Sequence, residues 1–106
     1  MAMPVKERVT VGKYFEQLLV SNSVQVLSPI KYKDSEMSGG AMEAFITNYG
    51  ANILYTYDGT TPTSTVGHVL ADGGILILKG QNQMENFKCY AQGSTSSLLS
   101  ITYEFE

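Results

Sequence analysis

An all-β domain, folded as a single antiparallel β-sandwich, is predicted from three observations. The C-terminal segment puts Leu99, Ile101, Tyr103 and Phe105 on one side and Ser100, Thr102, Glu104 and Glu106 on the other, because successive strand side chains point to opposite faces. Shorter runs upstream repeat this alternation and are separated by Gly, Asn, Asp, Ser and Pro, the punctuation of strands that bury one face. Seven Tyr, four Phe and several β-branched runs supply strand-forming and core material. A chain of 106 residues fits one domain of roughly 100 to 200 residues, and about seven short strands are expected from it.

The elements follow in order. Residues 1–22 read as an N-terminal arm or a first strand, and 23–106 as the sandwich. Val9 and Val11 alternate with Arg8 and Thr10 as in a strand, whereas Tyr14, Phe15, Leu18 and Leu19 have the spacing of a short helical face. An arm unable to pack on its own domain would bury these residues against a neighbouring subunit. Val24 and Val26 flank Gln25 and predict a strand. The polar run from Lys33 to Met42 predicts a loop, for interaction or connection only. AFITNY and NILYTY, broken at Gly50, Ala51 and Asn52, predict two strands of a hairpin. The unbroken run Ile75 to Leu78 predicts a central strand covered on both faces, or else a subunit contact. Phe87, Cys89 and Ala91 predict the inward side of another strand.

Charge and composition exclude several functions. A net charge of −3, a pI near 5.0 and a single arginine, Arg8, do not suit neutralisation of nucleic-acid phosphates. No apolar run approaches the ~18 residues that span a bilayer, and the first residues lack the apolar stretch of a signal peptide. No membrane partner and no export are therefore expected. The lone Cys89 reads as a buried thiol suited to assembly in a reducing cytoplasm. A hydrolytic nucleophile needs a base, and the only histidine, His68, has no evident partner. Cys89 with His68 is too small a set for zinc, and Asp34 with Glu36 or Asp58 with Asp72 are too sparse for calcium. No enzyme activity, metal or cofactor is expected.

The most distinctive segment is Tyr55 to His68, YTYDGTTPTSTVGH. Tyr55, Thr56 and Tyr57 favour a strand, which Asp58-Gly59 then ends. Asp58 can accept a bond from the amide of Thr60 or Thr61, and Gly59 can take positive φ. Pro62 removes a donor, Thr63, Ser64 and Thr65 can satisfy loop backbone, and Gly67 permits another bend before His68. The whole reads as a rigid corner between sheets, with His68 a loop residue bonded to backbone. Tyr55, Tyr57 and Tyr103 fall on inward or cross-strand positions.

With the following Asp-Gly turn, the ILIL strand, Phe87 in NFKCYA and the terminal ITYE, this string resembles a small family of tailed-phage structural proteins. The likeness runs from about Ser23 to the C-terminus and rests on Tyr55, Asp58, Gly59, Pro62, Thr63, Gly67 and His68. Asn52-Ile53-Leu54 stands where those proteins carry an arginine or similar residue, so a salt bridge there is not expected to carry over. The resemblance implies a virion protein assembled in the host cytoplasm, decorating or cementing a capsid by binding the major capsid or another virion protein. It also implies a homo-oligomer, for which a trimer would suit a capsid local threefold. The shorter Tyr-Thr-x-Asp-Gly-x-x-Pro-Thr core is similar to immunoglobulin-like accessory domains of secreted glycosidases, so an immunoglobulin-like or jelly-roll-like sandwich is expected. The alternative function is a carbohydrate- or cell-surface-binding module that uses exposed tyrosines. Working contacts are expected in the N-terminal arm or the Lys33 to Met42 loop.

Overall fold

A computed structural model describes residues 11–33 and 40–105. The first ten residues of the expected arm and residues 34–39 of the expected loop lie outside the described residues. The elements in order are β1 (Val11–Val20), α1 (Pro29–Tyr32), β2 (Glu43–Gly50), β3 (Ile53–Thr56), β4 (His68–Leu70), β5 (Ile75–Lys79), α2 (Gly80–Glu85), β6 (Lys88–Ala91) and β7 (Ser97–Phe105). The strands form two antiparallel sheets, in the orders β1-β7-β2-β5 and β4-β3-β6. The protein is an all-β sandwich, as its alternation predicts. The neighbours β2–β5 and β3–β6 match two inner pairs of an immunoglobulin domain, but the last strand lies between β1 and β2.

The alternation along β7 is realised in full: Leu99, Ile101, Tyr103 and Phe105 are buried, and β7 is bonded on both edges, to β1 and β2. Ala44 and Ile46 of β2 and Leu78 of β5 extend that buried face. Against it pack Ile53 of β3, Leu70 of β4, and Phe87, Cys89 and Ala91 from the β6 segment. Tyr32 of α1 and Met84 of α2 close the core from the side.

A fully buried polar side chain lies within this core. Asn48 of β2 is fully buried, and its amide nitrogen donates to the carbonyls of Leu70 at 2.8 Å, Ala51 at 3.0 Å and Ala71 at 3.2 Å. Its amide oxygen accepts from the Ser97 hydroxyl of β7. The Asn48 backbone holds the β4–β5 turn as well, donating to Gly74 O at 2.9 Å and accepting from Gly73 N at 2.7 Å. A single side chain thus ties both sheets to one turn, which suits the cost of leaving buried carbonyls unpaired.

Several expectations are corrected. AFITNY and NILYTY do not form a hairpin: β2 pairs with β7 and β5, while β3 pairs with β4 and β6 in the other sheet. The break at Gly50 to Asn52 is a passage between sheets. Tyr55 to Gly67 is conversely not a corner between sheets, because β3 and β4 are neighbours in one sheet. The run Ile75 to Leu78 is the edge strand β5, not a central strand, and Ile75 and Ile77 are exposed. A continuous apolar run reports that both faces could be covered, not which molecule covers them. Val24 and Val26 belong to no strand; Gln25 makes only an isolated bridge to Cys89.

Residues 11–20 are extended throughout, so the helical spacing of Tyr14, Phe15, Leu18 and Leu19 is overridden by pairing with β7. Tyr14 and Leu18 pack on the core, while Phe15 and Leu19 point outward. Lys13 is the extra residue of a bulge, since Gly12 faces Glu104 and Tyr14 faces Tyr103.

Candidate functional site

The Tyr55 to His68 segment is a long, pinned connection between β3 and β4. Its turn works as the residue types predict: Thr60 N donates to Asp58 Oδ1 at 3.0 Å, and Gly59 has φ +90°. The same turn is fastened to the end of α2, where Gly59 N donates to Asn86 O at 3.1 Å. Pro62 is buried, Thr63 and Val66 exchange backbone bonds of 2.9 and 3.3 Å, and Thr65 N donates to Thr63 Oγ1 at 3.3 Å. Gly67 has φ +135°, and a Cβ there would stand 3.1 Å from Tyr55 O. The Thr60 amide holds the Asp58 carboxyl below its usual range. A carboxyl depressed on folding contributes its stability at neutral pH and loses it as pH falls through the depressed value.

Gly59→Val is expected to destabilise the fold by about 1–2 kcal/mol, because a β-branched residue pays for positive φ and its Cβ would press to 3.3 Å from Asn86 Oδ1. Thermal unfolding checks this, and an unchanged melting temperature refutes the turn assignment.

Two sequence expectations change at this end of the sandwich. His68 is not a backbone-bonded loop residue but the first residue of β4, directly opposite Tyr55. Tyr57 is not turned inward; it is 42% exposed. The Tyr55 and His68 rings lie 5.4 Å apart, Tyr57 and His68 6.0 Å, and Tyr55 and Tyr57 6.4 Å, with interplanar angles of 24–40°. Tyr55 in turn packs 6.0 Å from the buried ring of Phe87. Its hydroxyl is raised in pKa by burial, then by Tyr57. The period-2 alternation places Tyr55 and His68 on the same face as buried Ile53 and Leu70, two positions nearer the rim. The aromatic group is therefore the core's edge surfacing at the open end of the sandwich.

A cleft of about 370 Å³ opens beside it, lined by Thr56, Tyr57, Asp58, Thr60, Val66, Gly67 and His68. Of the residues singled out in the sequence, Asp58, Gly67 and His68 line this cleft; Tyr55 stacks on His68 and Thr63 is backbone-bonded to Val66, while Gly59 and Pro62 lie in the same segment outside the lining. Thr56, Thr60 and Val66 were not singled out as binding residues, and Tyr57 was one of several tyrosines considered for stacking but was placed on an inward or cross-strand position. The signal for Tyr57 was its place one residue past the strand end, where alternation no longer dictates direction.

Other reactive groups are placed for packing. Burial pushes the Cys89 thiol up to about 12, which keeps it protonated and unreactive at neutral pH. Burial, followed by the charge of Glu16, raises the Tyr103 phenol. Among the described residues, no three His, Cys, Asp or Glu side chains are grouped to hold a metal, and no helix is long and apolar enough to cross a membrane. Asp58 and Asp72 do not converge: Asp72 accepts from Gly50 N at 3.0 Å in a different turn. No protein-family model, curated protein or solved structure matches the chain.

The second candidate surface is the outer face of the β1-β7-β2-β5 sheet. The register lays Phe15, Thr102, Phe45 and Ile77 in one row across all four strands, and Leu19, Leu98 and Tyr49 in another. Between them runs a row of Gln17, Ser100, Thr47 and Ile75. Phe15, Leu19, Tyr49 and Ile75 are 56–65% exposed. A face on which two apolar rows lie on either side of a polar one, bounded at one end by Glu104, Glu43 and Lys79, groups more exposed apolar side chains than scattered surface residues would.

Proposed function

We propose that the protein is a structural component of a tailed-phage particle, a capsid decoration or cement protein that acts by protein–protein binding. The observation that carries the reading is the apolar outer face of the four-stranded sheet. Two apolar rows flank polar Gln17, Ser100 and Thr47, a pattern of large side chains for burial and hydrogen-bonding groups for register. The resemblance of the Tyr55 to His68 string to phage structural proteins supports the particle as the setting. The partner in this reading is the major capsid protein or another shell protein, and the acidic balance of the chain suits a protein surface better than packaged nucleic acid.

Both edges of this sheet reach the face: β1 carries Phe15 and Leu19, and β5 carries Ile75 and Ile77. Copies grouped around a capsid symmetry axis would meet along these edges, which gives the homo-oligomer its place in the same reading. Mass spectrometry of purified virions tests the setting, and absence of the chain from every particle defeats it. The double variant Phe45→Asp, Ile77→Asp tests the surface. It is expected to retain its melting temperature within a few degrees and to lose particle occupancy by about tenfold or more. Full occupancy by the folded variant would move the docking surface elsewhere.

A further inference from the structure

We propose that the cleft beside Tyr57 and His68 binds one neutral sugar ring, with the sugar's C–H face stacked on Tyr57 and a hydroxyl donated to the Asp58 carboxylate. The lining combines two chemistries. One part is aromatic, exposed Tyr57 stacked with His68; the other is polar, the Asp58 turn with Thr60. A hexose has the matching pair of surfaces, an apolar patch of ring C–H groups and an equatorial fringe of hydroxyls.

Competing ligand classes fit less well. No Lys or Arg lines the cleft and Asp58 does, so a phosphate or carboxylate ligand would meet a like charge with no permanently charged cation beside it, only His68. A nucleotide could stack its base, but its phosphate faces the same repulsion. A purely apolar ligand would strip water from Asp58 and Thr60 without replacing it. The volume of about 370 Å³ lies at the small end of ligand sites, roughly 300–1,000 Å³. One ring, free or at the end of a glycan, is the size that fits.

The site is also prepared before binding. Tyr57 is held by Tyr55 and His68, Tyr55 by Phe87, and the Asp58 turn by Thr60 and Asn86. Little side-chain freedom is left to lose. Gly67 contributes backbone alone to the wall, so no side chain there fills the space. The cleft sits at the rim of the three-stranded sheet and the docking face on the other sheet, so either can fail without the other.

The test is a titration of the isotope-labelled full chain, followed by NMR, with D-glucose, D-galactose and N-acetyl-D-glucosamine, each taken to about 50 mM. At least one sugar is expected to shift the resonances of Tyr57, Thr60 and His68 saturably, with a millimolar Kd. Tyr57→Ala should weaken that binding about tenfold or more, and Val66→Phe, which fills the cleft and leaves the aromatic group intact, should abolish it. Val69→Ser, next to His68 but on the opposite sheet face, should bind as the parent does. No saturable shift with any of the three sugars overturns the proposal, and so does undiminished binding by either cleft variant.

Discussion

Asn48→Ala is expected to lower stability by about 3 kcal/mol, a drop in melting temperature on the order of 15 °C for a domain of this size. The side chain donates to three carbonyls and accepts from Ser97. Its bonds to Leu70 O and from the Ser97 hydroxyl are both fully buried, so their loss leaves a buried carbonyl and a buried hydroxyl short of a partner. The Ala51 and Ala71 carbonyls are partly accessible and are re-solvated at lower cost. A second substitution isolates the amide donor: Asn48→Asp keeps the size but turns a carboxylate toward the three carbonyls. That variant should be at least as damaged at neutral pH. Its folded-state carboxyl is raised in pKa by burial and repulsion, so its deficit should shrink as pH falls and the protonated acid regains a donor. Urea unfolding across pH measures both. An Asn48→Ala midpoint within error of the parent would show that the two sheets do not depend on this contact.

Phe87→Ala is expected to cost about 3–5 kcal/mol, the range for removing a fully buried aromatic ring. Phe87 is completely buried and lies between the core and the Tyr55 ring, 6.0 Å away. The cavity would form beneath the aromatic group, so Tyr55 should lose order together with global stability. Phe87→Leu refills most of the volume and should cost markedly less. Phe45→Ala provides the contrast, since Phe45 is 37% exposed on the outer face of β2. It should lose less than Phe87→Ala in the same unfolding experiment. Equal losses would mean that the outer face is packed against something within the chain.

The contrast between these two phenylalanines marks how far the sequence could be read. From Leu99 onward strand β7 was legible, because its inward residues there are apolar and its outward residues Ser, Thr and Glu, whereas Ser97 and Leu98 at its start reverse that pattern. Phe87, Cys89 and Ala91 were legible for the same reason. Strand β2 was not: Phe45, Thr47 and Tyr49 alternate with Ala44, Ile46 and Asn48, and neither set is plainly polar. Local alternation shows that two faces exist, while only the partner sheet selects the face it covers. Asn48 was invisible for a stronger reason. Its value lies in carbonyls, which every residue has, and the decisive one belongs to a residue 22 positions away.

The motif at Tyr55 to His68 was legible in its turn and not in its surface. Asp58 and Gly59 act within a few residues, so the bond to Thr60 and the positive φ followed from residue types alone. The placement of His68 opposite Tyr55 follows from strand pairing, and the exposure of Tyr57 follows from where the sheet stops. The segment first read as a corner thus becomes a wall of a cleft.

By itself, the sequence determined the antiparallel β class, the inward face of β7 and the Asp58-Gly59 turn, because each depends on period-2 alternation or on contacts a few residues apart. The tertiary structure decided that β5 is an edge strand, that β2 and β3 part into different sheets, that Asn48 joins those sheets, and that Tyr57 and His68 share a cleft. Each of these depends on which distant segments meet, and strand pairing is made by backbone groups common to all residues, so side-chain identity along one strand does not name its partner.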